Sequence, residues 1–304
     1  MTTISPDPID EGDREVLNRR RHLVTLHDGN LLDVIDQIFA AVDVGRCVLV
    51  VCNHVRSAQQ VARTLRARLG EDEDAVCLFH GRFNMKDRKK KEAKLGFKKL
   101  PKVLVATQVV EVSLDISFDL GFFEGAPIDA LVQRMGRVNR QGETPASILV
   151  ARTPLSRHRI YDSQRTVKTL ELLGQRAEPL SERNLTEICD EVYADGYVGD
   201  EKQVFEQRLN HRFLTAFEEE VVAGEHQQWI ETVIEDAGGR ADVLPIELKN
   251  EYDAMIADKR WLDADALLVN AYTSALGPKL DKGTDPWTVN LKYDQDGLHS
   301  PKSV

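Results

Sequence analysis

Residues 101–142 read PKVLVATQVVEVSLDISFDLGFFEGAPIDALVQRMGRVNRQG. An apolar run closes on Thr107, and Arg134, Arg137 and Arg140 follow later at intervals of three residues. A buried strand ending on a hydroxyl delivers that hydroxyl to a sheet edge, where it can hold a backbone phosphate. An arginine cluster beyond it can reach the γ-phosphate of a nucleotide bound opposite, where negative charge spreads during phosphoryl transfer. An ATP-driven nucleic-acid motor needs this combination.

The flanking sequence alternates between the two periodicities. A helix is predicted over 31–42, with Leu31, Leu32, Ile35, Ile38, Phe39 and Val42 on one face. A buried strand follows over 47–52, then a helix over 57–69 with Ser57 as its N-cap candidate. Further strands are expected at 76–79, 102–107, 120–123 and 147–151, with helices at 84–94 and 128–135. This is the α/β order of a parallel sheet, with ligands at the carboxyl ends of the strands.

Two more blocks complete a pattern. VLVVCNHVRSA at 48–58 and LFHGRFNMKDR at 78–88 precede VLVATQVVEVSLDISFD and APIDALVQRMGRVNR. Taken in this order, the blocks resemble motifs IV to VI of superfamily 2 helicases, in the wording of the CRISPR-associated helicase-nuclease of type I systems. The resemblance is close over residues 20–155 and looser beyond. It implies a second RecA-like domain, a parallel sheet sandwiched by helices, at 20–155. A 1–19 extension precedes it, and a mainly helical accessory domain with a few strands at 156–276 and a polar tail at 277–304 follow. One departure is Ser117, which gives DISFD where many relatives carry DIDFD, and it touches only a secondary contact.

The family's site residues carry over one by one. Arg137 and Arg140 would be arginine fingers, and Gln133 would sense the nucleotide. Asp115 would contact the ribose or a bound water. Thr107, Asn53 and Arg82 would grip the nucleic-acid backbone, while Arg134 is expected to pair with an acidic neighbour. A finger of this kind accelerates hydrolysis by roughly 10³ to 10⁵, about 4–7 kcal/mol of barrier. The implied cofactors are ATP and Mg²⁺. The implied partners are a first RecA-like helicase half, single-stranded DNA and the type I surveillance complex.

The first half of such a motor carries a G-x-x-x-x-G-K-[ST] phosphate loop and an acidic box for Mg²⁺. Lys precedes Ser or Thr only at 168–169 and 302–303, without the glycines. Asp190-Glu191-Val192-Tyr193 imitates the box but continues the helical pattern of Leu185, Ile188, Cys189 and Val192. His27-Asp28 imitates a nuclease metal dipeptide, yet Asp28-Gly29-Asn30 reads as a turn into the next helix. The expectation is therefore a motor half that hydrolyses ATP only when complemented, with no nuclease or metal site of its own. The alternatives are a non-enzymatic module binding nucleic acid or the surveillance complex, and an inert fragment of a disrupted helicase gene.

Composition agrees with a chain of one to two domains. It has 304 residues, of which 42% are apolar, and four cysteines with no C-x-x-C spacing. Cys47, Cys52 and Cys77 sit in strand-like runs and read as core filler. Without a leader-like or membrane-length apolar stretch, the expected location is cytoplasmic.

Charge is divided unevenly. Residues 1–150 hold 22 Lys and Arg against 21 Asp and Glu, whereas 151–304 hold 18 against 29. Nucleic-acid contacts are therefore expected in the first half. The basic run KDRKKKEAKLGFKKLPK at 86–102 reads equally as a phosphate-facing patch or a solvated helix face. Beyond 155 helices are expected at 160–173, 180–193 and 204–221, the last with Phe205, Leu209, Phe213, Phe217 and Val221 as a packing stripe. A mixed strand-and-helix stretch at 229–272 precedes a polar, partly disordered end.

Overall fold

Short, continuous apolar runs rich in valine and leucine form the central strands, because a parallel sheet covered on both faces leaves no polar side to alternate with. A computed structural model of the chain describes residues 10–96, 100–111, 115–140, 142, 144–156, 160–197, 199–209 and 239–299. The chain divides into two units, residues 1–80 with 91–195 and residues 81–90 with 196–304.

The first unit runs α1 (Glu11–Asn18), β1 (Arg20–His27), a 3₁₀ turn (Leu31–Val34), α2 (Ile35–Asp43), β2 (Val48–Val51), α3 (Val55–Leu69) and β3 (Val76–Phe79). Next come α4 (Met85–Gly96), whose first residues belong to the second unit, β4 (Val103–Ala106), β5 (Leu120–Glu124) and α5 (Ile128–Met135). β6 (Ala146–Ala151), α6 (Ser163–Gly174), β7 (Leu180–Ser181) and α7 (Glu182–Tyr193) complete it. Seven strands lie in the order β3-β4-β2-β5-β6-β1-β7, all parallel except β7, which runs antiparallel to β1. Every residue of β2, β3 and β4 is buried. Leu49, Val51, Phe79, Leu104, Phe123, Leu131 and Ile148 belong to one continuous core.

Gly121 is dictated by that packing. A Cβ there would lie 2.6 Å from the Phe123 ring and 2.9 Å from Ile148 Cδ1.

The second unit contains α8 (Gly199–Leu209), β8 (Arg240–Pro245), α9 (Lys249–Ala257), α10 (Trp261–Asp265), β9 (Val269–Tyr272) and α11 (Thr273–Leu276). β10 (Leu280–Asp281) and β11 (Thr288–Val289) join β8 and β9 in a four-stranded sheet, ordered β10-β11-β8-β9. A separate hairpin pairs β12 (Tyr293–Asp294) with β13 (Gly297–Leu298). Residues 81–90 are tied into this unit by several bonds. The Asn84 and Lys86 amides donate to Tyr293 Oη at 3.1 Å and the Ala266 carbonyl at 2.9 Å. Tyr293 Oη donates to Asp87 Oδ2 at 2.7 Å, and Lys86 Nζ donates to Glu251 at 2.6 Å.

Several sequence expectations are met at residue level. The 120–123 strand and the 128–135 helix appear as β5 and α5, and Asp190 and Glu191 lie exposed on α7 while Leu185, Ile188 and Val192 face inward. Asn30 caps the turn after His27, accepting from the Leu32 amide at 2.8 Å. All four cysteines are free, and burial pushes the Cys77 thiol up to about 11.

Others are corrected. Ser57 does not cap α3, which starts two residues earlier with His54 at its N-cap and buries Ser57 in its first turn. Residues 277–299, read as a partly disordered end, form short strands because Val289 and Leu298 are fully buried in the second unit's core. The first unit includes α6 and α7. The described part of the 204–221 stripe is α8, and Phe213, Phe217 and Val221 lie outside the described residues.

Replacing Gly121 with alanine forces Phe123 or Ile148 to move. Gly121→Ala is expected to lower unfolding stability by about 1–3 kcal/mol, the usual cost of overpacking, measured as a reduced urea midpoint with unchanged slope.

Candidate functional site

Where β2 ends, the chain turns through Asn53, and its polar groups are taken up at once. The Asn53 amide donates to Glu124 Oε2 at 2.6 Å, and Asn53 Nδ2 donates to the Gly125 carbonyl at 2.9 Å. Gln108 Nε2 donates to the Asn53 carbonyl at 2.9 Å. Glu124, the fully buried last residue of β5, also accepts from the Leu155 amide at 2.9 Å. A buried carboxylate is tolerated when donors satisfy it, and here two backbone amides do so.

Arg134 enters from α5 and has no solvent exposure. Its Nε donates to Glu111 Oε1 at 2.9 Å, an ion pair, and Nη1 donates to the Glu124 carbonyl at 3.0 Å. Its Nη2 donates to Asn53 Oδ1 at 3.0 Å and to Tyr161 Oη at 3.1 Å. The pairing expected for Arg134 is thus with Glu111. One guanidinium links the ends of β2 and β5, the segment after β4 and the approach to α6.

The two remaining arginines of the triplet bond back to Val110, Glu111, Asp115 and Ser117. Arg137 donates from Nε to the Val110 carbonyl at 2.9 Å and from Nη2 to the Glu111 carbonyl at 2.8 Å. Arg140 Nη1 donates to Asp115 Oδ1 at 2.5 Å, and its amide donates to Ser117 Oγ at 3.0 Å. The backbones also pair, since the Phe118 amide donates to the Arg137 carbonyl at 2.9 Å and the Asn139 amide to the Phe118 carbonyl at 2.8 Å. Asn139 sits at φ 50°, with Nδ2 donating to the Arg21 and Thr144 carbonyls at 3.0 and 2.9 Å. Ser117, the departure from the acidic spelling, is a hydrogen-bond acceptor among these contacts. The Arg140–Asp115 pair is solvent-exposed, with side chains 44% and 92% accessible, so it contributes little stability and breaks readily.

Of the sequence-selected residues, Arg140 and Asp115 touch each other, while Arg137 lies against the carbonyls that lead out of Thr107. Thr107 is buried at the end of β4, its amide donating to the Phe79 carbonyl at 3.3 Å. Asn53 is buried beside it on the neighbouring strand end, and Gln133 is exposed on α5. Arg82 belongs to the second unit, where its carbonyl accepts from the Leu298 amide at 2.9 Å, and burial lowers its pKa from the ordinary value. The basic run is partly neutralised from within. Lys91 and Lys94 both pair with Glu73, holding its carboxyl at about 2 although burial alone would raise it, whereas Lys89 and Lys90 stay exposed.

Glu111, Glu124 and Tyr161 were not selected from sequence. Glu124 carries a usable signal, because a lone acid closes the apolar run LGFF at a strand's carboxyl end. Tyr161 carries none.

A mostly parallel seven-stranded sheet with helices on its faces is the architecture of a RecA-like domain. Residues 44–143 match the family model described as CRISPR-associated nuclease/helicase Cas3, C-terminal. The chain is 28% identical over 215 residues to a putative CRISPR-associated nuclease/helicase Cas3 of Methanocaldococcus jannaschii, covering 67% of this chain and 28% of that one. It is 38% identical over 116 residues to the CRISPR-associated endonuclease/helicase Cas3 of Escherichia coli K12, covering 36% and 13%. In fold it is similar to T. fusca Cas3 with ATP, at TM-score 0.61 and 21% identity over 88% of this chain and 37% of that one. A chain of a CRISPR RNA-guided surveillance complex, pre-nicking, superposes at TM-score 0.57 and 19% identity over 95% and 43%. Residues 44–143 thus carry a clear similarity to the C-terminal region of Cas3 helicases. It spans less than a third of the two curated relatives' lengths. Among the described residues no helix is long and apolar enough to cross a membrane.

Arg134→Ala removes one partner from a buried charged network and is expected to cost about 3–5 kcal/mol in unfolding stability, read by urea titration. His22 supplies a pH signature. It is buried in β1 with Nε2 donating to the Val138 carbonyl at 2.8 Å. Burial, helped by the Arg21 charge, holds its pKa below the ordinary 6.5 against the opposing pull of that carbonyl. The unfolded chain therefore binds the extra proton first, so this stability is complete above pH 6.5 and falls as pH drops toward the folded value. His22→Gln is expected to flatten that part of the stability–pH curve.

Proposed function

We propose that this chain provides the second RecA-like domain and the accessory region of an ATP-driven single-stranded-DNA translocase of the Cas3 type. A facing RecA-like domain would bind ATP and Mg²⁺ through its own phosphate loop and acidic box. The observation that carries this reading is the contact of Arg140 with Asp115, beside Arg137 on the carbonyls of Val110 and Glu111. In this reading the groups that would respond to a γ-phosphate are bonded to residues that follow Thr107.

In this reading Arg140 is the more available finger, because its exposed bond to Asp115 exchanges at little cost for a phosphate. Arg137 is a second finger that must give up two carbonyls to reach the nucleotide. Gln133, exposed on the same helix, senses the nucleotide. Asp115, once released, is available to the ribose or a bound water. Thr107 and Asn53 sit buried at neighbouring strand ends and mark the carboxyl edge along which the strand would run, and Arg82 is a further candidate for the nucleic-acid backbone. Nucleotide state and grip are then coupled through residues 107–119. The surveillance-complex neighbour suggests that the complete motor is recruited by a guide-RNA assembly.

The test is DNA-stimulated ATP hydrolysis by this chain mixed with a first RecA-like half. Activity is expected only in the mixture, and Arg140→Ala should reduce it by roughly 10³-fold or more, as loss of an arginine finger does. No hydrolysis in a mixture that demonstrably assembles would overturn the motor reading in favour of a binding module or an inert fragment.

A further inference from the structure

The carboxyl edge of the seven-stranded sheet contains a pocket of about 150 Å³. Asn53 and Gly125 line it from the ends of β2 and β5, Arg152 from the end of β6, and Tyr161, Ile160 and Val167 from the approach to α6 and that helix itself. It is far smaller than the roughly 300 Å³ at which sites for whole drug-sized ligands begin, so it suits a compact planar group.

Three features distinguish it from an incidental crevice. The Tyr161 hydroxyl is fixed by Arg134, which sets the direction of its ring before any ligand arrives. Preorganisation of this kind lowers the entropy lost on binding. Ile160 and Val167 are each about half exposed, at 52% and 53%, so apolar surface at the rim lacks cover. Arg152 brings a cation to the same pocket, and its ion pair with the nearly fully exposed Asp28 is of the weak, exchangeable kind.

Position then narrows the ligand. In the strand order β4-β2-β5-β6, Thr107 and Asn53 occupy the first two strand ends, and the pocket spans the second to the fourth. Neighbouring strands lie about 5 Å apart, so a nucleic-acid strand running along this edge past Thr107 and Asn53 continues over the pocket mouth.

We propose that this pocket receives one unstacked base of that single strand, laid against the Tyr161 ring and covered by Ile160 and Val167, with Arg152 facing an adjoining phosphate. This deepens the strand-binding part of the proposed function and rests on it. Stacking on a tyrosine is tolerant of base identity, as a processive translocase requires.

The experiment compares the affinities of oligothymidylate and an equally long abasic strand for this chain and for Val167→Trp, which fills the pocket from an exposed helix position. The wild-type chain is expected to prefer the strand with bases by about tenfold, the scale of one base–aromatic stack. Val167→Trp should abolish that preference and leave abasic binding unchanged. A preference that survives Val167→Trp, or equal weakening of both strands, would overturn the pocket while leaving strand binding intact. If neither strand binds, thymidine 5′-monophosphate titrated by NMR separates the two ideas. Binding lost in Val167→Trp keeps the pocket and overturns strand binding, and absence of binding overturns both.

Discussion

A charge that cannot leave the protein interior organises this site. The Arg134 guanidinium is wholly buried and places four donated bonds on Glu111, the Glu124 carbonyl, Asn53 and Tyr161. Stripping a cation of water is tolerable only if every replacement partner is held in place. Those partners come from four separated stretches of chain, so satisfying one residue fixes the mutual positions of four strand-end segments. The neighbouring Glu124 carboxylate adds the Asn53 and Leu155 amides to the same framework. Arg140 and Asp115 lie outside this network, joined to each other by an exposed contact that water can compete for.

The contrast in burial assigns different jobs to three arginines of identical chemistry and equal spacing. Arg134 lies on the inner face of α5, whereas Arg137 and Arg140 follow in the loop after it, where Arg140 reaches solvent. Arg137 is intermediate and satisfies itself on carbonyls. Burial depth, rather than residue type, separates a scaffold residue from a group able to switch partners.

Much of the fold was legible in the sequence, since runs such as VLVV, VCLF and VLVA are too short for helices and unalternated, as strands buried on both faces must be. An acidic partner for Arg134 was among the expectations, and Glu111 fills that place. The identity of that acid was not, as Glu111 approaches from a separate stretch of chain and only the folded path brings it near. Ser57 misled because a serine before an apolar period resembles a cap, whereas the Ala58 amide already donates to the His54 carbonyl and the helix starts earlier. Residues 277–299 looked too polar to fold alone. They gain order by contributing a few apolar side chains, Val289 and Leu298 among them, to a core begun elsewhere.

The assignment of residues 81–90 to the second unit makes that unit discontinuous in the chain. Its earliest piece leaves the ribosome long before Tyr293, whose hydroxyl satisfies the Asn84 amide and Asp87. The nascent chain must therefore carry an unfinished segment through the synthesis of roughly two hundred further residues, a contact of high sequence separation that is slow to form. A cut after residue 195 would not yield a clean first unit, because the severed portion would leave ten of its own residues behind. The second unit therefore cannot be completed until the residues that bond to Asn84 and Asp87 have been made.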